Sequence, residues 1–182
     1  MINKPLLTLT GPSGSGKSTI EKLLVRDKKL RRAISHTTRD KRNNEIDGVD
    51  YYFISENEML DMSIKGKLAE FIRYNGSCYG VSKEELDISD IIVIEPNGLK
   101  VIKSYLAQTN RKVISVYLDI DEHTRELRMS KRGDLKENIE KRIENDKTHF
   151  KYNDSLYNFY VLNNKKITDT VQIISDIYDQ NK

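Results

Sequence analysis

Gly11-Pro12-Ser13-Gly14-Ser15-Gly16-Lys17-Ser18 fits G-x-x-x-x-G-K-[ST] at every fixed position. The order of residue types suits one kind of chemistry. Glycines let successive backbone N–H groups turn inward onto phosphate oxygens, and the start of a helix adds a favourable dipole. Lys17 would meet the β- and γ-phosphates, and the Ser18 hydroxyl would reach Mg²⁺. The motif speaks for a nucleoside triphosphate and is silent on what is done with it.

A second group of candidates lies in SHTTRDKRNNEIDGVDYYF, residues 35 to 53, which mixes hydroxyls, arginines, acids and a closing aromatic triplet. A solvated loop explains the charges and a buried strand explains the aromatics, but neither explains both together. Further on, LAEFIRYNGSCYGV carries Asn75-Gly76, a strong two-residue hairpin signal. Residues opposed across that turn have numbers summing to 151, so Ile72 faces Tyr79 and Glu70 faces Val81. All four then share one sheet face. Hairpin geometry alone leaves Glu70 and Tyr79 open to two readings, a surface acid beside a packed ring or a ligand-facing pair. Arg128 and Arg132 are spaced to share a helix face.

These groups need elements to position them. Leu6 to Leu9 reads as a strand and Ser18 to Val25 as a helix. Ile91 to Ile94, Val113 to Leu118 and Phe159 to Leu162 read as further strands. Between and after them lie helical runs from about Leu99 to Ala107, Glu122 to Asn145 and Asp169 onward. Such alternation predicts an α/β fold, a parallel sheet with helices on both faces. Residues 35 to 86 break the rhythm with a capping box, Ser55-Glu56-Asn57-Glu58, and the hairpin. They read as a small antiparallel subdomain inserted into the parallel sheet.

The 182 residues suffice for one domain with a sizeable core. A net charge of +3 fits an anionic small molecule and is far from the basic footprint of a nucleic-acid binder. One cysteine, Cys78, excludes an intramolecular disulfide and suits a reducing cytosol. The longest purely aliphatic run, Ile91 to Ile94, is too short to span a membrane, and the first residues lack a signal-peptide layout. The expectation is a cytoplasmic protein. His36, His123 and His149 show no metal-ligand spacing, and the basic run from Arg26 to Arg32 reads as a solvated connection.

Taken in order, GPSGSGKST, then S-x-T-T-R-x-x-R-x-x-E-x-D-G-x-D-Y-x-F, then E-x-x-x-x-x-G-x-x-Y-G resemble the guanylate kinases, nearly from end to end. The resemblance implies a P-loop NTPase-type core (residues 1–34 and 89–182), a nucleoside-monophosphate-binding insert (about 35–88) and a helical lid (about 128–148). It implies transfer of a phosphoryl group from ATP to GMP, and dGMP, with Mg²⁺ carried by ATP. Site residues follow by motif. GMP falls to Ser35, Arg39, Arg42, Glu45, Tyr51, Glu70 and Tyr79, with Ser35 and Glu70 on the guanine edge. ATP falls to Gly11, Ser13, Gly14, Ser15, Gly16, Lys17, Ser18 and Thr19, with Arg132, and with Asn163 on adenine. Lys17, Arg128, Arg132 and Arg142 would stabilise the transferring group, and Ser18, with Glu95 through water, would attend the metal.

Physical sense supports the mapping. Arginines make bidentate, charge-assisted bonds to phosphate, and a carboxylate accepts paired N–H bonds that guanine offers and adenine does not. Two positions depart from the family pattern: Val81 stands where a hydroxyl helps hold guanine O6, and Val93 and Glu95 stand where two aspartates are usual. They favour, as the alternative, a kinase of the same fold acting on another nucleoside monophosphate or a sugar phosphate. A non-catalytic phosphopeptide-binding module is a further alternative, against which the intact P-loop argues. Partners are ATP and GMP, with no nucleic-acid polymer and no membrane, in a monomer or small homo-oligomer.

Overall fold

The computed structural model describes residues 4–43, 45–74, 76–150 and 155–182. In chain order the elements are β1 (Leu6–Thr10), α1 (Lys17–Lys28), β2 (His36–Thr37), β3 (Tyr52–Phe53), α2 (Glu56–Ile64), β4 (Leu68–Tyr74), β5 (Ser77–Ser82) and α3 (Lys83–Ile88). They continue with β6 (Ile91–Val93), α4 (Pro96–Ala107), β7 (Val113–Asp119), α5 (Glu122–Lys131), α6 (Lys136–His149), β8 (Phe159–Leu162) and α7 (Ile167–Asn181).

β6, β1, β7 and β8 form one parallel sheet in that order. Because side chains alternate across a strand, β1 feeds two cores. Leu7 and Leu9 pack with Ile20 and Leu24 of α1 and Ile174 and Tyr178 of α7. Leu6 faces the other way, with Leu99, Ile102 and Leu106 of α4. The P-loop therefore leaves a strand that is buried along its whole length. Pro96 at the first position of α4 starts that helix slightly earlier than the apolar periodicity alone predicts.

The insert forms a second sheet, in the order β3-β2-β5-β4. It is mixed rather than antiparallel, because β2 and β3 run parallel, His36 beside Tyr52. The chain between them is a long loop, which permits the parallel return that a tight turn forbids. The hairpin pairs Glu70 with Val81 and Ile72 with Tyr79, the expected register. It slips between Leu68 and Glu70, where a bulge pairs Leu68 with Ser82. Asn75, half of the expected turn, lies outside the described residues. The capping box is present, with Ser55 and Glu58 bonding each other's backbone amides.

The tract expected to be helical from Glu122 to Asn145 is two helices. Gly133, at φ +90°, takes a left-handed conformation open to glycine, and the chain turns there between α5 and α6. The basic run is only partly solvated: Arg32 is an ion-pair partner of buried Glu21. Among the described residues, no helix is long and apolar enough to cross a membrane.

Candidate functional site

Three adjoining recesses open around the P-loop. The first, of about 300 Å³, is lined by Ser35, Tyr51, Glu70, Tyr79, Glu95 and Lys17, among others. The second, of about 390 Å³, lies over Gly14, Gly16, Lys17, Ser18 and Thr19, beneath Arg128, Arg132 and Arg142. The third, of about 200 Å³, is shared by Ser18, Glu21, Arg39, Arg42, Tyr51 and Tyr79. Lys17 belongs to the first two, Ser18 to the last two, and Tyr51 and Tyr79 join the first to the third.

In the first recess Glu70 is almost fully buried, and Ile72 and Tyr79 share the wall with it, as the hairpin register requires. Burial, with the Glu95 carboxylate nearby, pushes the Glu70 carboxyl up to about 8. Among the described residues nothing donates a hydrogen bond to it. Its closeness to α4 depends on Gly98: a Cβ there would stand 2.7 Å from Glu70 Oε1 and 2.9 Å from Ile94. Val81 packs into the core and is absent from the recess wall.

The second recess is cationic. Lys17 Nζ is drawn back over the loop, donating to the carbonyls of Gly11 at 2.5 Å and Pro12 at 2.9 Å. Desolvation lowers Lys17 to about 8, with Arg132 and Arg125 acting in the same direction and Asp146 opposing. Arg128 donates from Nη2 to the Asn163 carbonyl at 2.8 Å, while its buried Nη1 has no hydrogen-bond partner among the described residues. Arg132 and Arg142 are both held by Asp134, Arg142 at 3.4 Å. The Arg132 bond, with burial opposing, leaves the Asp134 carboxyl below its ordinary range.

In the third recess Arg39 Nη2 donates to both carboxylate oxygens of Glu45, at 2.7 and 3.0 Å. Its guanidinium lies 5.6 Å from the Tyr51 ring centroid. Glu45 also accepts from the Arg42 backbone N–H at 2.9 Å, so it organises the two arginines.

Two expected placements change. Asn163 is fully buried, its amide donating to the Ser15 carbonyl at 2.7 Å and its oxygen accepting from Thr170 at 2.8 Å. Those bonds make it a support of the P-loop from beneath. Ser18 and Glu95 line different recesses, and Glu95 keeps company with Glu70.

Sequence reasoning missed two buried ion pairs. Asp146 of α6 accepts from Ser13 N at 2.8 Å and from Arg125 Nη1 at 2.7 Å, tying α5 and α6 to the P-loop. The available signal was its spacing, one helical turn beyond Arg142 on the same face. The other pair is Glu21–Arg32, signalled by an acid between Ile20 and Leu24 on the inward face of α1.

Residues 3–181 match the family model described as guanylate kinase. A guanylate kinase of Mycoplasma mobile is 35% identical, over 94% of this chain and 90% of its own. One from Wolbachia sp. subsp. Brugia malayi is 33% identical, over 97% of this chain and 93% of its own. In structure, the crystallised guanylate kinase of Anaplasma phagocytophilum superposes with a TM-score of 0.69 at 22% identity, covering 100% of this chain and 89% of that one, a likeness of fold.

Proposed function

The chain belongs to the guanylate kinase family, and on that premise we propose that it phosphorylates GMP, and dGMP, with ATP. A GMP phosphate oxygen attacks the ATP γ-phosphorus in line. The bond from γ-phosphorus to the bridging oxygen breaks, and ADP and GDP leave. The single observation that carries this reading is the convergence of a base recess, a phosphate recess and a P-loop recess on Lys17, Ser18 and the Tyr51–Tyr79 pair.

Glu70 accepts from guanine N1–H and the N2 amino group, with Ser35 beside it, and a base lacking those donors leaves the carboxylate buried and unpaired. Arg39, Arg42, Tyr51 and Tyr79 hold the GMP phosphate, and Glu45 orients the two arginines. Lys17 swings from the Gly11 and Pro12 carbonyls to the ATP phosphates, and Arg128, Arg132 and Arg142 neutralise the transferring group. Val81 lies in the core, so guanine reading rests on Ser35 and Glu70.

Among the described residues no group of three or more metal-ligating side chains is present. That suits an ion held mainly by nucleotide phosphates and water, as Mg²⁺ commonly is, with Ser18 as the protein's own ligand. Bound there, Mg²⁺ would neutralise phosphate charge. Residues about 35–88 act as the GMP-binding subdomain and about 128–148 as the lid, in a cytoplasmic monomer or small homo-oligomer.

ADP release measured with GMP, dGMP, AMP, UMP, TMP and ribose bisphosphate tests the reading. GMP and dGMP are expected to be the preferred acceptors, and preference for another overturns it.

A further inference from the structure

Glu21 is the least expected buried charge in the molecule. It is 1% exposed, on the P-loop helix, where an apolar side chain would complete the face shared by Ile20 and Leu24. Burying a carboxylate there is unfavourable unless it is paired, and an apolar pair of similar volume is often as stable. Burial raises the Glu21 carboxyl to about 7 against the pull of Arg32. Its carboxylate also meets the Val93 backbone of β6, so it ties α1 to the sheet as well as to Arg32.

The geometry of its partner gives a further reason. Arg32 Nε lies 3.1 Å from Glu21 Oε2, an ion pair without hydrogen-bond geometry. The other two nitrogens donate to the Val49 and Asp50 carbonyls, each at 3.1 Å. Arg32 is itself rooted on the core sheet, bridged to Ile91 of β6. One guanidinium therefore grips the helix that begins at Lys17 and the two residues that precede Tyr51. The loop it holds is internally fastened: Asp50 accepts from Ile46 N at 2.9 Å, and Gly48 N donates to the Tyr51 carbonyl at 2.9 Å. Loop and strut thus transmit position.

We propose that Glu21 and Arg32 are positioning residues for phosphoryl transfer: together they set the distance between the P-loop helix and the Tyr51 wall of the acceptor-phosphate recess. Both also line that recess, and the role assigned to them is to hold its shape. The inference rests on the reading of that recess as the GMP phosphate site.

Two variants separate positioning from simple stability. Arg32→Lys keeps a cation beside Glu21 but cannot span two carbonyls and a carboxylate. Glu21→Leu combined with Arg32→Leu restores an apolar pair and cuts the strut. Steady-state kinetics with each substrate varied in turn, beside thermal melts, gives the readout. Both variants are expected to melt as cooperatively as the parent and to raise KM for GMP about tenfold while KM for ATP stays within twofold. An unmoved GMP KM in both, or equal rises for both substrates, overturns the strut. A parent enzyme that leaves GMP unphosphorylated sinks the reading beneath it instead, and the strut's role with it.

Discussion

The second sheet, proposed as the GMP-binding insert, and the α5–α6 pair, which carries the proposed lid, are fastened to the P-loop by the same device in two strengths. Each uses a buried arginine–carboxylate pair. Between α5 and α6, Arg125 and Asp146 are 6% and 3% exposed, and Asp146 touches the loop backbone itself at Ser13. In the insert, Arg32 is 24% exposed and works at one remove, through the carbonyls ahead of Tyr51. The lid end that holds Asp146 is thus anchored dry and directly, and the insert more loosely. A second parallel runs through the arginines proposed to hold phosphate. Glu45 holds Arg39, and Asp134 holds Arg132 and Arg142. In each region a carboxylate sits where a phosphate would otherwise satisfy the guanidinium, so the arginines are kept close to their working positions.

The largest effect should fall on the drier anchor. Asp146→Ala strands the Arg125 charge in the interior and should destabilise the protein by about 3–5 kcal/mol, measured by urea unfolding. Arg32→Met leaves Glu21 able to protonate, since that carboxyl is already at about 7, and should cost visibly less. Equal losses would erase the distinction between the two anchors.

Lys17 is where both regions meet, and Lys17→Ala should lower turnover by about 10²–10³-fold, as removal of one preorganised transition-state donor does. GMP should still bind, because its recess is otherwise complete. Calorimetric titration with GMP beside turnover checks both halves, and undiminished turnover would sink the P-loop assignment.

The insert is also where pH should act. Glu70 is raised to about 8 from its ordinary value, by burial first and Glu95 second. Tyr51, Tyr79, Lys17 and Asp146 line the same recess, and His149 acts on Glu95. A raised carboxyl favours the folded state in its protonated form. Its contribution to stability is therefore complete below the ordinary carboxylate range and lost as pH rises through about 8. Guanine binding runs the other way, because it needs the carboxylate. GMP affinity should strengthen with pH, by up to about tenfold per unit, and level off above about 8. Binding near neutral pH should release a proton, seen as a buffer-dependent heat, and Glu70→Gln should abolish that dependence.

How far the sequence reaches depends on what kind of contact is being read. The P-loop, the capping box and the Glu70–Tyr79 register were legible because each is fixed by local spacing. The break at Gly133 was masked by a charged, helix-favouring tract, and the parallel β2–β3 pairing by a loop whose return path no local rule dictates. Glu21–Arg32 and Arg125–Asp146 join residues on different elements, and Arg32 read as part of a solvated basic run because no local spacing marks its partner. Asn163 shows the same limit from the other side, since motif position alone cannot reveal that both ends of an amide bond within the fold.

The smallest expected effect tests the parallel between the two holding carboxylates. Among the described residues the Asp134 carboxylate bonds the side chains of Arg132 and Arg142, whereas Glu45 bonds both the Arg39 side chain and the Arg42 backbone. Asp134→Asn removes a charge that competes with nucleotide phosphate and leaves the backbone as it was, so KM for ATP should fall about two- to threefold. Glu45→Gln weakens a bond that also shapes the loop, so KM for GMP should rise by a similar factor. High salt should shrink the Asp134 effect more, because that ion pair involves a half-exposed arginine and screening acts most on exposed charge. If both substitutions shift their substrate in the same direction, the two acids do one job, and the lid and the insert differ only in how they are anchored.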